Sequence, residues 1–160
     1  MKYVLRILIF LLIVVAGNAC TNDETCRKNS YVRLQVSLYH LALNPTNDTL
    51  VASTWSVDSI TVQGVGADSI LYKNAKKISQ LNLNLKKMDN QTEYQLNING
   101  IKDTLTITHT NKTEFLSLEC GCLTVYRIDS AFVTKHAINS VQIINHQVNT
   151  DNATNIRIFN

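Results

Sequence analysis

Val32, Leu34, Val36 and Leu38 alternate with Arg33, Gln35 and Ser37. A period of two sends the apolar set to one face of a sheet and the polar set to the other, so the run predicts a first strand. The pattern returns at 60–62, 81–85, 94–98, 105–108, 116–118, 123–125, 141–143 and 156–158. Between these runs stand turn formers: Asn44-Pro45-Thr46-Asn47-Asp48, Gly64-Val65-Gly66-Ala67-Asp68, Met88-Asp89-Asn90, Asn99-Gly100 and Asn149-Thr150-Asp151-Asn152. Their spacing of about 8–12 residues predicts an all-β fold, an antiparallel β-sandwich of about 8–10 strands. Asn99-Gly100 suits the positive backbone angles of a tight turn, so 94–98 and 101–108 should pair as a hairpin. One short turn of helix is the most that 73–79 would hold.

The alternation predicts a core of Val32, Leu34, Val36, Leu38, Ile60, Val62, Leu81, Leu83, Leu96, Ile98, Leu105, Ile107, Leu116, Leu118, Val125, Ile156 and Ile158. Asn is a poor strand former, so Asn82, Asn84 and Asn97 make sense as solvated outer positions.

The N-terminus follows a different rule. Lys2 and Arg6 precede an apolar run to Ala16, which closes on Gly17-Asn18-Ala19-Cys20. A membrane span needs about 20 apolar residues, and Arg6 interrupts this shorter run, so it reads as a cleaved signal. Gly17 and Ala19 suit a peptidase that cuts after a small-x-small triplet, and Gly17 stands where a lipobox more often has Leu, Val or Ile. The cysteine directly after Ala19 favours lipidation at Cys20, with a soluble secreted form as the alternative. Two or three acyl chains there would anchor the protein stably, whereas one is marginal. The expected organisation is a signal peptide over 1–19, a lipidated flexible tether over 20–29 and a single β-sandwich domain over 30–160. One proline, five glycines and no low-complexity linker give no reason to divide the last part.

Charge narrows the partners. The formal +3 includes Lys2 and Arg6; without them 13 basic side chains face 12 acidic ones, a net of +1. No nucleic-acid partner is implied. Asp23 and Glu24, followed by Arg27 and Lys28, read either as a solvated tether or as an export signal resembling those of Bacteroidetes surface lipoproteins.

With Cys20 lipidated, Cys26, Cys120 and Cys122 remain, and in an exported protein two of them are expected to pair. Cys120 and Cys122 on a regular strand would have Cα atoms about 7 Å apart, near the limit for a disulfide, so Cys26 with either is the better pairing. A zinc site with His40, His109, His136 or His146 as fourth ligand is the sharper alternative, but no Cys-x-x-Cys or His-x-x-x-His spacing supports it. No metal or other cofactor is expected. The histidines read as loop or solvated strand positions, and no nucleophile elbow, zincin motif or phosphate cradle is present. An enzyme is therefore not expected. Trp55 with Tyr39, Tyr72, Tyr94 and Tyr126 could form a sugar-stacking platform, or serve as packing.

Asp, a hydroxyl residue and an aliphatic residue recur in Asp48-Thr49-Leu50, Asp58-Ser59-Ile60, Asp68-Ser69-Ile70, Asp103-Thr104-Leu105 and Asp129-Ser130-Ala131. Such triplets can cap a turn and open a strand. They also resemble the O-glycosylation acceptor of exported Bacteroidetes proteins, which makes Thr49, Ser59, Ser69, Thr104 and Ser130 candidates.

Cys20 with Thr25-Cys26-Arg27, Val57-Asp58-Ser59-Ile60-Thr61-Val62 leading to Gly64, Asp68-Ser69-Ile70-Leu71-Tyr72, Asp103-Thr104-Leu105-Thr106-Ile107 and Glu119-Cys120-Gly121 together resemble a family of Bacteroidetes exported lipoproteins, domain of unknown function 6452. The resemblance covers most of the mature chain and implies no catalytic residues. It favours Cys120 over Cys122 as the partner of Cys26, and implies an outer-membrane barrel protein as a partner. The expected role is a non-enzymatic accessory or interaction module at the outer membrane; a ligand-binding sandwich, for instance for glycans, is the alternative.

Overall fold

The computed structural model describes residues 31–118, 120–151 and 153–160, and among them the period of two becomes eleven strands and no helix. In chain order these are β1 (Leu34–Leu43), β2 (Leu50–Thr54), β3 (Ile60–Gly64), β4 (Ile70–Ala75), β5 (Gln80–Leu83), β6 (Gln91–Ile98), β7 (Ile101–Ser117), β8 (Gly121–Val133), β9 (Ser140–Ile143), β10 (Gln147–Val148) and β11 (Ile156–Phe159). The signal, the tether, Cys20 and Cys26 lie outside the described residues.

Two sheets face each other. One runs β2-β1-β11-β9 with β5 also on β1; the other runs β10-β8-β7-β6-β3-β4. The facing sides bury Leu34, Val36, Leu38, Leu81, Leu83, Ile156 and Ile158 from the first sheet against Ile60, Val62, Leu96, Ile98, Leu105, Ile107 and Ile128 from the second. That is the all-β sandwich expected from the alternation.

β1 is shared along its length. Leu34–Ser37 pair with β5 and Tyr39–Leu43 with β2. The edge changes partner at Leu38, whose N–H donates to Ser79 O at 2.8 Å and whose carbonyl accepts from Trp55 N at 2.9 Å.

The expected hairpin at Asn99-Gly100 is present, with β6 and β7 paired from Gln91↔Thr108 to Ile98↔Ile101. Asn99 and Gly100 take φ of 49° and 89°, as a turn with two left-handed residues requires.

Several expectations are corrected. The strand count exceeds 8–10 because β2, β4 and β10 lack a clean alternation. The sandwich is not wholly antiparallel, since β1 and β11 pair in parallel from Val36↔Ile156 to Tyr39↔Phe159. Parallel neighbours need a long crossover, and here the intervening domain supplies it. No helical turn forms at 73–79: β4 occupies the start of this segment, and its pairing with β3 is irregular, with Asn74 and Lys77 at positive φ. Asn97 is half-buried rather than solvated, and Val32 is only partly buried.

The register of β8 also shifts where the sequence gives no sign of it. Thr108 pairs with Ser130 but His109 with Ile128, leaving Asp129 as the extra residue of a bulge. Before the bulge Tyr126 and Ile128 face the core; after it Ala131 and Val133 do.

Candidate functional site

The inward row of β7 reads Asp103, Leu105, Ile107, His109, and all four are buried. Two apolar residues are thus flanked by two ionisable ones, and each ionisable group fastens a loop.

Asp103 is 1% exposed. Its Oδ1 accepts from Thr134 Oγ1 at 2.8 Å, His136 N at 3.0 Å and His136 Nδ1 at 3.0 Å, and its Oδ2 from Ala137 N at 2.7 Å and Ile138 N at 3.0 Å. Burial alone would raise its pKa. The hydrogen bonds from Thr134, Ala137 and His136 outweigh it and hold the carboxyl below its ordinary value. The carboxylate serves as the cap of the 134–138 turn.

His109 holds the segment between β5 and β6. Its Nδ1 contacts Asn111 Oδ1 at 2.6 Å, while Asn111 Nδ2 donates to the carbonyls of Lys87 at 2.9 Å and Asp89 at 2.8 Å. The amide oxygen is therefore the acceptor, which puts the imidazole proton on Nδ1 and leaves Nε2 to accept from Thr92 Oγ1 at 2.8 Å. Thr92 Oγ1 in turn accepts from Lys86 N at 2.9 Å. Tyr94 OH donates to Asn84 O, and Tyr126 OH to Leu85 O at 3.2 Å. Burial pushes the His109 pKa down, against the raising effects of the Asn111 bond and of Asp129 and Asp89. Burial also raises Tyr94 to about 12 and Tyr126 above its ordinary value.

The expectation that every histidine is a loop or solvated position thus fails at His109, which is fully buried. Its place in the Leu105–Ile107 alternation was the available signal. The other three histidines are dispersed: His40 Nε2 meets Ser53 Oγ at 2.9 Å, His136 meets Asp103, and His146 Nδ1 donates to Ile128 O at 2.6 Å. Among the described residues no group of three or more His, Cys, Asp or Glu is placed to hold a metal ion.

The aromatic residues proposed as a platform do not form one exposed surface, and only Tyr94 and Tyr126 are neighbours. Trp55 packs against the core, Tyr94 and Tyr126 are buried under the 84–90 segment, and Tyr72 OH accepts from Asn82 N at 2.9 Å. Tyr39 lies 5.8 Å from the Phe159 ring with the Arg157 guanidinium over its face.

Of the five Asp-hydroxyl-aliphatic triplets, three end on the first residue of a strand: Leu50 of β2, Ile60 of β3 and Ile70 of β4. Thr49 and Ser69 are exposed; Ser59 is half-buried. Thr104 and Ser130 lie inside β7 and β8, half-buried, where the turn explanation does not reach.

The outer half of the β7–β8 hairpin leaves the sandwich. Beyond Lys112 and Thr124 none of its described residues is buried, and it ends in a turn where Gly121 takes φ 70°. Phe115 is 65% exposed, Leu116 43% and Leu118 96%. Leu116 and Leu118 are therefore not core residues, as the alternation had suggested, because the second sheet does not extend over them. Cys122, opposite Phe115, is a free and exposed thiol, whereas Cys120 carries no free thiol.

A cleft joins this hairpin to the start of the described chain, lined by Tyr31, Val32 and Arg33 with Leu123, Thr124 and Tyr126.

No curated protein and no solved structure matches the chain. A family model does match, over residues 59–160, which takes in every strand from β3 onward and more than half of the sequence. The chain belongs to this family, the family of unknown function DUF6452.

Proposed function

We propose that the protein is a cell-envelope lipoprotein of Bacteroidetes type, lipid-anchored to the outer membrane at Cys20 and acting as a non-enzymatic accessory or interaction module. The observation that carries this reading is the basic, apolar and small-residue series from Lys2 to Ala19 that ends directly on Cys20. The buried ionisable groups support the non-enzymatic part: the Asp103 oxygens and both His109 ring nitrogens are taken up by hydrogen bonds that fasten loops. An outer-membrane barrel protein is the partner that fits the reading.

Cys26 is proposed to bond Cys120. Tyr31 shares a cleft with Leu123 and Thr124, and the few residues from Tyr31 back to Cys26 span up to about 17 Å when extended. Cys120 therefore lies within reach, and Cys122 keeps a free thiol. At least one of Thr49, Ser59, Ser69, Thr104 and Ser130 is proposed to carry a glycan.

Mass spectrometry of the native N-terminus tests the anchor. Acylated Cys20 is the expected result, and an unmodified mature chain in the soluble fraction would refute it. Non-reducing peptide mapping tests the disulfide, which a free Cys26 thiol would rule out.

A further inference from the structure

We infer that the tip of the β7–β8 hairpin is a membrane-seating element that enters the apolar boundary of the same bilayer that holds the Cys20 lipid. The inference rests on the lipid-anchor reading above and adds a second point of attachment.

Three observations converge on a lipid surface. First, three large apolar side chains, Phe115, Leu116 and Leu118, stand exposed together at the end of the hairpin, past the last buried residue of its described part. The ladder is irregular between Phe115 and Ser117 and leaves Leu116 out of the pairing, so no regular strand edge is offered there. Second, a polar collar lies just inside the tip, where Lys112 Nζ pairs with Glu114 Oε1 at 3.0 Å in solvent. Charge therefore lies on the sandwich side of Phe115, Leu116 and Leu118, and Glu119 adds one carboxyl in the sequence between Leu118 and Cys120.

The third observation is where the undescribed N-terminal chain joins the domain. Tyr31 sits in the cleft with Leu123 and Thr124 on the same hairpin. From Tyr31 back to Cys20 the chain reaches at most about 40 Å, and a Cys26–Cys120 bond would shorten the free part to about 20 Å. With that bond the anchor is held to the hairpin end of the molecule, whereas the tether of about 40 Å alone would reach past the length of β1. Leu43 opposite Leu50, another exposed apolar pair, lies at the far end of β1 from Tyr31.

The test uses the full chain, lipidated in a host with the lipoprotein pathway and reconstituted into phosphatidylethanolamine–phosphatidylglycerol vesicles. Trp55→Phe removes the natural indole and Leu118→Trp introduces one at the tip. Leu118 is almost wholly exposed, so the melting temperature should stay that of the Trp55→Phe parent. On vesicle binding the emission should shift to the blue and be lost to lipids brominated about 5–10 Å below the headgroups. Co-flotation with vesicles without this quenching would overturn the inference and leave the lipid anchor standing. Failure to float would bring down the anchor reading and the inference with it. Shielding that depends on protein concentration and not on vesicles would overturn the inference in favour of contact between two copies.

Discussion

Asp103 and His109 stand on the same face of β7, at opposite ends of the buried Leu105–Ile107 pair, and each closes a different loop over the sandwich. The buried row of β7 thus carries apolar contact at its centre and directional bonding at both ends. A buried polar group costs stability unless bonded, so the two residues set loop positions that hydrophobic packing alone would leave loose.

His109 should make the domain acid-sensitive. Its folded-state pKa lies below the ordinary 6.5, so the unfolded chain binds the proton more readily. The contribution is fully present above the unfolded value and is lost as pH falls through the folded one. A proton on Nε2 would also face Thr92 Oγ1, which already accepts from Lys86 N. Urea midpoints from about pH 7.5 down to 5 should fall more steeply for the parent than for His109→Gln. Equal slopes would mean that the other histidines account for the effect.

Asp103→Asn should cost about 2–4 kcal/mol, because an amide nitrogen replaces one acceptor among converging N–H and O–H donors. Its folded pKa is depressed, so the carboxylate's contribution is present above the unfolded value of 3.8 and disappears as pH falls below it. Chemical denaturation at neutral pH checks the cost. A loss below 1 kcal/mol, in the range of an ordinary neutral hydrogen bond, would show that the 134–138 turn holds without it.

Ile107→Asp should unfold the domain, since an unpaired buried charge costs several kcal/mol against a total stability of about 5–15. Leu118→Asp, outside the core, should shift stability by no more than about 0.5 kcal/mol. Thermal melts of the pair separate the core stretch of β7 from the hairpin turn that follows it. Similar melting temperatures would contradict the assigned burial.

At Gly100 an added Cβ meets no atom within 4 Å, so Gly100→Ala isolates backbone strain at φ 89°. A loss of about 1 kcal/mol is expected from equilibrium unfolding. No loss would mean that the turn relaxes into another type.

Glycopeptide mapping of native protein should find the modification at Thr49 first, because it is exposed in the turn before β2. Thr104 should be the poorest acceptor in the folded domain, since the Asp103 carboxylate of its triplet is buried. An intact mass equal to the lipidated polypeptide alone would remove the glycan proposal.

Much of the sandwich was legible as alternation. Leu34–Leu38, Leu81–Leu83 and Leu105–Ile107 needed only a period of two, and Asn99-Gly100 needed only its turn preference. What was not legible depends on which strands become neighbours. β4 reads as a poor strand because it sits at an edge with an irregular ladder, and the 116–118 run reads as core although the hairpin has outrun the opposite sheet.

The sequence by itself determined the strand class, most inward-facing residues and a pattern that ends on Cys20, since these rest on local periodicity and local residue chemistry. Tertiary structure alone decided the parallel β1–β11 pair, the Asp129 bulge, the burial of His109 and Asp103 and the exposure of the hairpin tip. Each depends on what the distant parts of the chain supply: Ile156 beside Val36, Thr92 beside His109, Ala137 over Asp103, and nothing from the opposite sheet over Leu116 among the described residues. Alternation specifies which face a side chain takes, but only the assembled sheets determine whether anything covers that face.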